Sequence, residues 1–428
     1  MPRSSRPSRP LLGAATLIAL AATAAACGVQ PAPTADPAGG PRHARAKNVV
    51  VLQGDGMGIA HRELVRLATK GQDEELAMDS LDVAGWVHTD PLDPEDTVTD
   101  SAASATAFAT GVRTYNGAVG VDADGRALPT LLEQARRAGK ATGLVTTSQV
   151  TDATPAAYGS HVPDRDDQSE IARQFIEETR PDVVLGGGED RWLPPGEEGA
   201  WPDHPATDPT EESAGTQGNL IERAQELGYH YVSDAEGLAA ARPRGRLLGL
   251  FANEEMFEHR NEGPDALYDP AVPLRDMASK ALDVLSRDRD GFFLLVEEEG
   301  VDEMAHHNNA HLTIEAGAAL DSTVQLVLDF AETHPDTLVV VVGDHETGGL
   351  AIENPDADDE SGDGESTEDG PFTVAGTDLE FVVDWTTEQH TGAATPLTAQ
   401  GPGADRLGRV QDSTDVHDAI AAAMLGRR

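Results

Sequence analysis

NVVVLQGDGMG, residues 48–58, decides how the rest of the chain reads. Its aliphatic, β-branched start has no polar alternation, which marks a strand buried on both faces, as in a parallel sheet. Gly54 then opens into Asp55 and a glycine-rich loop. Two further stretches repeat the plan: FFLLVEEEG from Phe292 and TLVVVVGDHE from Thr337, each ending in carboxylates. Ligands of open α/β sheets bind beyond the carboxyl ends of the strands, so these three ends are expected to converge on one site. Residues 128–139, 271–288 and 312–332 carry helical apolar periodicity. Strand alternating with helix gives the expected fold class: α/β, doubly wound, with a mostly parallel central sheet and helices on both faces.

Upstream of this core the chain divides. Residues 1–27 carry Arg3, Arg6 and Arg9, an apolar run and small residues before Cys27, the layout of a secretory leader. The apolar run is short for a membrane span. Cys27, the single cysteine, sits where a bacterial lipobox has its lipidated cysteine, although Ala24 stands where leucine is usual. The expectation is an exported protein, anchored to the outer side of the cell membrane through Cys27 or secreted. Residues 28–46 read as a flexible Pro/Ala/Gly linker and 47–428 as one catalytic domain. Residues 188–218 read as an irregular surface insertion and 354–371 as an acidic surface loop without an EF-hand frame.

The formal charge is −44, with 31 Lys and Arg against 75 Asp and Glu. Such a chain repels nucleic-acid phosphates and anionic lipid. One cysteine allows neither an intrachain disulfide nor a thiolate metal site.

The chemistry gathers around VTDSAASATAF, residues 98–108. Ser101 opens a run of small helix formers and lacks a G-x-S-x-G elbow, so a hydrolase triad is not indicated. Metal coordination is the other way to activate a serine. Without cysteine, zinc ligands must be histidine and carboxylate. Asp55 ends the first strand. Asp302 and His306, four apart, share a helical face. Asp344 and His345 end the strand from Thr337, and His390 lies in EQHTG.

These stretches, with VTDSAASATAFATGVRTYNGAVGVD, TDATPAAYGSHVPDR, VEEEGVDEMAHH and VVGDHETGG, resemble the bacterial alkaline phosphatases in family order across nearly the whole mature chain. The resemblance implies a phosphate monoester hydrolase of broad leaving-group tolerance, working through a phosphoserine at Ser101. It implies two Zn2+ ions, one held by Asp302, His306 and His390, the other by Asp55, Asp344 and His345. It implies one Mg2+ held by Thr154 and Glu297 with Asp55 bridging. Glu298 and Glu299 also stand in VEEEG, and the spacing to Asp302 favours Glu297. Arg165 matches the guanidinium that grips phosphate, and Asp152 a residue orienting magnesium-bound water. Glu303 departs from the pattern: the best-studied bacterial members have lysine there, and a carboxylate repels phosphate. Monomer and homodimer both stay open. The competing readings are a phosphodiesterase of the same superfamily and a lipid-anchored phosphate- or metal-binding protein, which would have no use for Ser101.

Overall fold

The computed structural model describes residues 45–205, 209, 211–257, 268–355 and 368–426. The chain divides into two units, Met1–Arg42 and His43–Arg428. The first, with the leader and Cys27, lies outside the described residues. Among the described residues no helix is long and apolar enough to cross a membrane.

Fifteen strands lie among the described residues: β1 Asn48–Gly54, β2 Val83–His88, β3 Ala141–Gln149, β4 Val183–Gly187, β5 Tyr229–Val232, β6 Arg246–Leu250, β7 Phe292–Glu298, β8 Thr337–Gly343, β9 Glu346–Thr347, β10 Ala351–Glu353, β11 Glu368–Thr373, β12 Glu380–Asp384, β13 His390–Thr391, β14 Thr395–Gln400 and β15 Val410–Asp412. Ten form one sheet, in the order β15-β2-β14-β8-β1-β7-β3-β4-β6-β5. Only β14 runs against its neighbours. The three strands singled out in the sequence are therefore adjacent: β1 lies between β7 and β8, with Gly54 level with both Glu298 and Gly343.

Period-two alternation sends the buried side chains of this sheet to opposite faces. Val49, Val51, Leu338 and Val340 join one core cluster with Phe108, Leu131 and Val416. Val50, Leu52, Val339 and Val341 join another with Val65, Leu282 and Leu320. The helices Ser101–Thr110, Leu131–Arg137 and Ser413–Leu425 thus cover one face. The helices Ile59–Thr69, Leu274–Leu285 and Ala310–Thr333 cover the other. This is the doubly wound fold expected.

Local chemistry sets the helix ends. Thr130 accepts from the Glu133 N–H at 3.2 Å while Glu133 reaches back to the Thr130 N–H at 3.3 Å, a capping box. Gly139, at φ 82°, provides the stop.

Two expectations need correction. Residues 188–218 are irregular but not merely superficial: Trp192 is fully buried and belongs to the core. Glu189, 1 % exposed, ties the segment together by accepting from the backbone N–H groups of Ala200 and Trp201. Of the acidic stretch 354–371, residues 356–367 lie outside the described residues, and Glu368 onward is not loop but strand β11, paired antiparallel with β12.

Candidate active site

Ser101 is the first residue of its helix. Asp100 caps that helix, accepting from the Ala103 N–H at 2.8 Å. The end of the helix is fixed to the sheet by Ser104, whose hydroxyl donates to the Asp344 carbonyl at 2.8 Å. Ser101 Oγ consequently lies 3.1 Å from His345 Nε2. Unpaired N–H groups and the positive end of the helix dipole face the same space.

Asp344 and His345 follow β8, and Asp55 follows β1. His345 Nε2 is 3.4 Å from both Asp55 Oδ1 and Asp344 Oδ2. One ligand atom from each of the three lies within 4.8 Å of the others. All three side chains are buried. Burial pushes the Asp55 carboxyl well up, and the Asp344, Asp302 and Glu297 charges add to it. Burial, then the Asp302 charge, pushes Asp344 up to about 7. Burial drives His345 well below its ordinary value, leaving it neutral.

The second group is built beside it. Asp302 and His306 lie on the helix Gly300–His306 and His390 on β13. β13 pairs with β9, which follows His345 directly, so His390 is held level with Thr347. His306 Nε2 is 3.1 Å from Asp302 Oδ2 and 3.1 Å from His390 Nε2. His306 Nδ1 meets the Glu388 carbonyl at 2.6 Å and His390 Nδ1 the Thr99 carbonyl at 3.0 Å. Each Nδ1–H therefore donates to backbone, which aims both Nε2 atoms inward. His345 stacks on His390, ring centres 3.6 Å apart, so it borders both groups. Burial pushes Asp302 up, but bonds from His306 and His390 outweigh it and hold it well below the carboxylate range.

Two features fit these residues to cations. Asp55 Oδ1 and Asp344 Oδ2 are buried without a hydrogen-bond partner. The facing Nε2 atoms of His306 and His390 cannot both present lone pairs to each other without a proton or a metal between them. Burial lowers His306 and His390, but their bonds to Asp302 outweigh it, raising His306 to about 9 and His390 as well, so in the ion-free chain protons stand where a cation would. Buried carboxylates and imidazoles converging in this way are a hard-to-borderline, zinc-compatible donor set.

Glu297, at the end of β7, is 1 % exposed and accepts from Thr146 Oγ1 at 2.6 Å. The Thr154 hydroxyl bonds Glu297 as well, and accepts from Gln53 Nε2 at 3.0 Å. Burial pushes Glu297 up to about 8, with the Asp152 and Asp344 charges adding. This all-oxygen pair beside Asp55 suits magnesium.

Arg165 reaches the cavity from the loop after the helix Ala153–Gly159. Its Nη2 donates to both Asp152 oxygens at 2.9 and 3.1 Å, and Nη1 to Asp100 Oδ2 at 3.4 Å. Burial alone would lower its pKa; the Asp152 and Asp100 charges outweigh that and keep it charged. Ser101, Asp55, Asp152, Arg165, Asp302, Glu303, His306 and His390 line one cavity of about 430 Å³. Glu303, the departure noted in the sequence, is among the residues that line this cavity.

Sequence reasoning missed several residues here. Asp100 both caps the Ser101 helix and, through Oδ2, accepts from the Gly117 N–H at 2.9 Å. Asn116 lines the cavity and accepts from the Asp100 N–H at 3.1 Å. Thr347 Oγ1 donates to Asp302 Oδ1 and lies 3.3 Å from His345 Nδ1. An Asp just before a helix start is a legible cap signal; nothing in the sequence marks Thr347.

The family model described as alkaline phosphatase matches residues 46–376. The chain belongs to the alkaline phosphatase family. Similar curated proteins include the streptomycin-6-phosphate phosphatase of Streptomyces griseus, 35% identical over 97% of this chain and 96% of its own. Escherichia coli alkaline phosphatase is 34% identical over 89% of this chain and 86% of its own. Among solved structures, Thermus thermophilus alkaline phosphatase superposes with a TM-score of 0.72 at 26% identity, covering 90% of this chain and 92% of that one. Family membership makes this chain a phosphomonoesterase and agrees with the fold expected from β1, β7 and β8.

Proposed function

We propose that this alkaline phosphatase hydrolyses phosphate monoesters through a phosphoserine at Ser101. The observation that carries the reading is Ser101 Oγ at a helix N-terminus, 3.1 Å from His345 Nε2, with His345 shared between two sets of converging ligand atoms, one of Asp55, Asp344 and His345 and one of Asp302, His345 and His390. Asp55, Asp344 and His345 would hold one zinc, Asp302, His306 and His390 a second, and Thr154, Glu297 and Asp55 a magnesium. Bound there, the cations lower the pKa of the serine hydroxyl and of water and stabilise the entering and leaving oxygens.

The chain's own residues do the rest. The Ser101 helix offers backbone N–H groups to the phosphate, and Arg165 a planar fork matched to two of its oxygens. Asp152 and Asp100 hold that fork in place before substrate arrives. Asp152 also stands where it can orient water beside Glu297 and Thr154. Ser101 Oγ attacks phosphorus, the alcohol departs on the opposite side, and water then cleaves the phosphoserine. An exported, lipid-anchored form through Cys27, recovering phosphate outside the cell from varied esters, completes the reading.

The test is release of p-nitrophenol from its phosphate ester at alkaline pH. Activity should vanish in Ser101→Ala and with a chelator, and return to wild type when zinc and magnesium are restored. A metal-supplied wild type that stays inactive contradicts the reading.

A further inference from the structure

Ser101 and Arg165 belong to separate stretches of chain, yet both must meet one phosphate. The turn at residues 115–118 is bonded to both stretches. It is closed by the Ala118 N–H, which donates to the Tyr115 carbonyl at 3.2 Å. Gly117 lies in it at φ 85°, a left-handed position that favours glycine.

On the nucleophile's side the turn works through Asn116. Its Oδ1 accepts from the Asp100 N–H at 3.1 Å and its Nδ2 donates to the Val98 carbonyl at 3.0 Å. A backbone N–H only donates and a carbonyl only accepts, so the amide has one workable orientation. These two bonds grip the residues just before Ser101, and Asp100 is the cap of the Ser101 helix. Farther along that helix, Thr106 Oγ1 donates to the Ala118 carbonyl at 2.9 Å.

On the arginine's side the bonds are equally direct. The Arg165 N–H donates to the Gly117 carbonyl at 2.8 Å, and the Tyr115 hydroxyl donates to the Pro163 carbonyl at 3.0 Å. Val119 and Val162 exchange backbone bonds at 3.0 Å. The Gly117 N–H closes the bracket at 2.9 Å on Asp100 Oδ2, the oxygen that also meets Arg165 Nη1 at 3.4 Å. Asn116 is half-buried on the cavity wall, so its amide can be removed without opening the core.

We propose that Asn116 is a positioning residue for phosphoryl transfer: through this turn it fixes the Ser101 hydroxyl and the Arg165 guanidinium at one mutual spacing. Both of its polar atoms are already bonded to backbone, so it acts through Asp100 and Gly117 rather than on the phosphate. The inference rests on the reading of Ser101 as nucleophile and Arg165 as the phosphate grip.

The experiment is a double-mutant cycle on enzyme loaded with zinc and magnesium, reading kcat/KM for p-nitrophenyl phosphate. It compares wild type, Asn116→Ala, Arg165→Ala and the double variant. With Arg165 present, Asn116→Ala should lower kcat/KM about ten-fold, as a small misplacement of reacting groups does. In the Arg165→Ala background the loss should stay below about two-fold, because a spacing has no meaning once one partner is gone. The phosphate inhibition constant should follow the same pattern, rising in the first background and not in the second. A merely structural role weakens both backgrounds equally, so equal losses overturn the inference. So does unchanged kcat/KM in a folded Asn116→Ala. If Asn116→Ala does not fold by circular dichroism, Asn116→Asp replaces it in the cycle, keeping the acceptor for Asp100 and losing the donor to Val98, and the same outcomes decide. A wild type that does not turn over p-nitrophenyl phosphate defeats the parent reading; an active wild type with independent variants defeats this inference alone.

Discussion

Ser101 Oγ lies 3.1 Å from His345 Nε2 although 244 positions separate them in the chain. The contact exists because the Ser101 helix is pinned to the end of β8 by the bond from Ser104 to the Asp344 carbonyl. Ser104→Ala removes a buried donor and leaves that carbonyl unsatisfied. It should cost about 1–2 kcal/mol of stability, and kcat should fall about ten-fold as Ser101 loses its alignment. Thermal unfolding and steady-state kinetics check both, and unchanged kcat in a folded variant would show that the pin does not set the serine.

Among the described residues, Arg165 is the one guanidinium lining the cavity. Arg165→Ala should raise the inhibition constant for inorganic phosphate by about 10- to 100-fold, the worth of a bidentate charge-assisted contact. Arg165→Lys should recover only part, because an ammonium cannot match two oxygens at once. Full recovery by lysine would argue that charge alone matters.

Glu303 faces the same space with the opposite sign. Glu303→Lys should lower the phosphate inhibition constant several-fold by exchanging repulsion for attraction. Raising salt should mildly assist wild-type turnover of simple anionic esters by screening the acidic surface. An inhibition constant unmoved by the substitution means that Glu303 does not act on phosphate.

Metal removal should make stability depend on pH. In the folded chain burial raises Asp344 to about 7 and Glu297 to about 8, against about 3.9 and 4.3 when unfolded. The folded state then binds more protons than the unfolded one between those limits. Stability falls as pH rises through this window. Chelated protein should melt at progressively lower temperature from about pH 5 to pH 8. Restored zinc and magnesium should flatten the trend, because cations replace the protons. A chelated protein with a flat profile would mean that these carboxylates are not the strained element.

Much of this was legible beforehand, for physical reasons. The aliphatic runs of β1, β7 and β8 are long, unbroken and closed by carboxylates, so both the parallel sheet and the convergence of its ends could be read from them. Asp302 and His306 were readable from helical spacing. Trp192 was not, because it is a large apolar residue in a segment whose composition is otherwise that of a surface loop. Strand β11 was obscured in the same way: Glu368 and Asp369 read as solvated, yet they pair with β12 at the rim, where charge is tolerated. Asp100 and Thr347 position other groups through tertiary contacts, and such contacts leave no periodic trace.

The central claim is covalent, so its most direct measurement is chemical. Wild-type enzyme, mixed with a phosphate monoester and quenched in acid, should yield a peptide carrying one phosphate on Ser101 by mass spectrometry. Ser101→Ala should yield none. An active enzyme with no adduct, or with phosphate on another residue, would contradict the account.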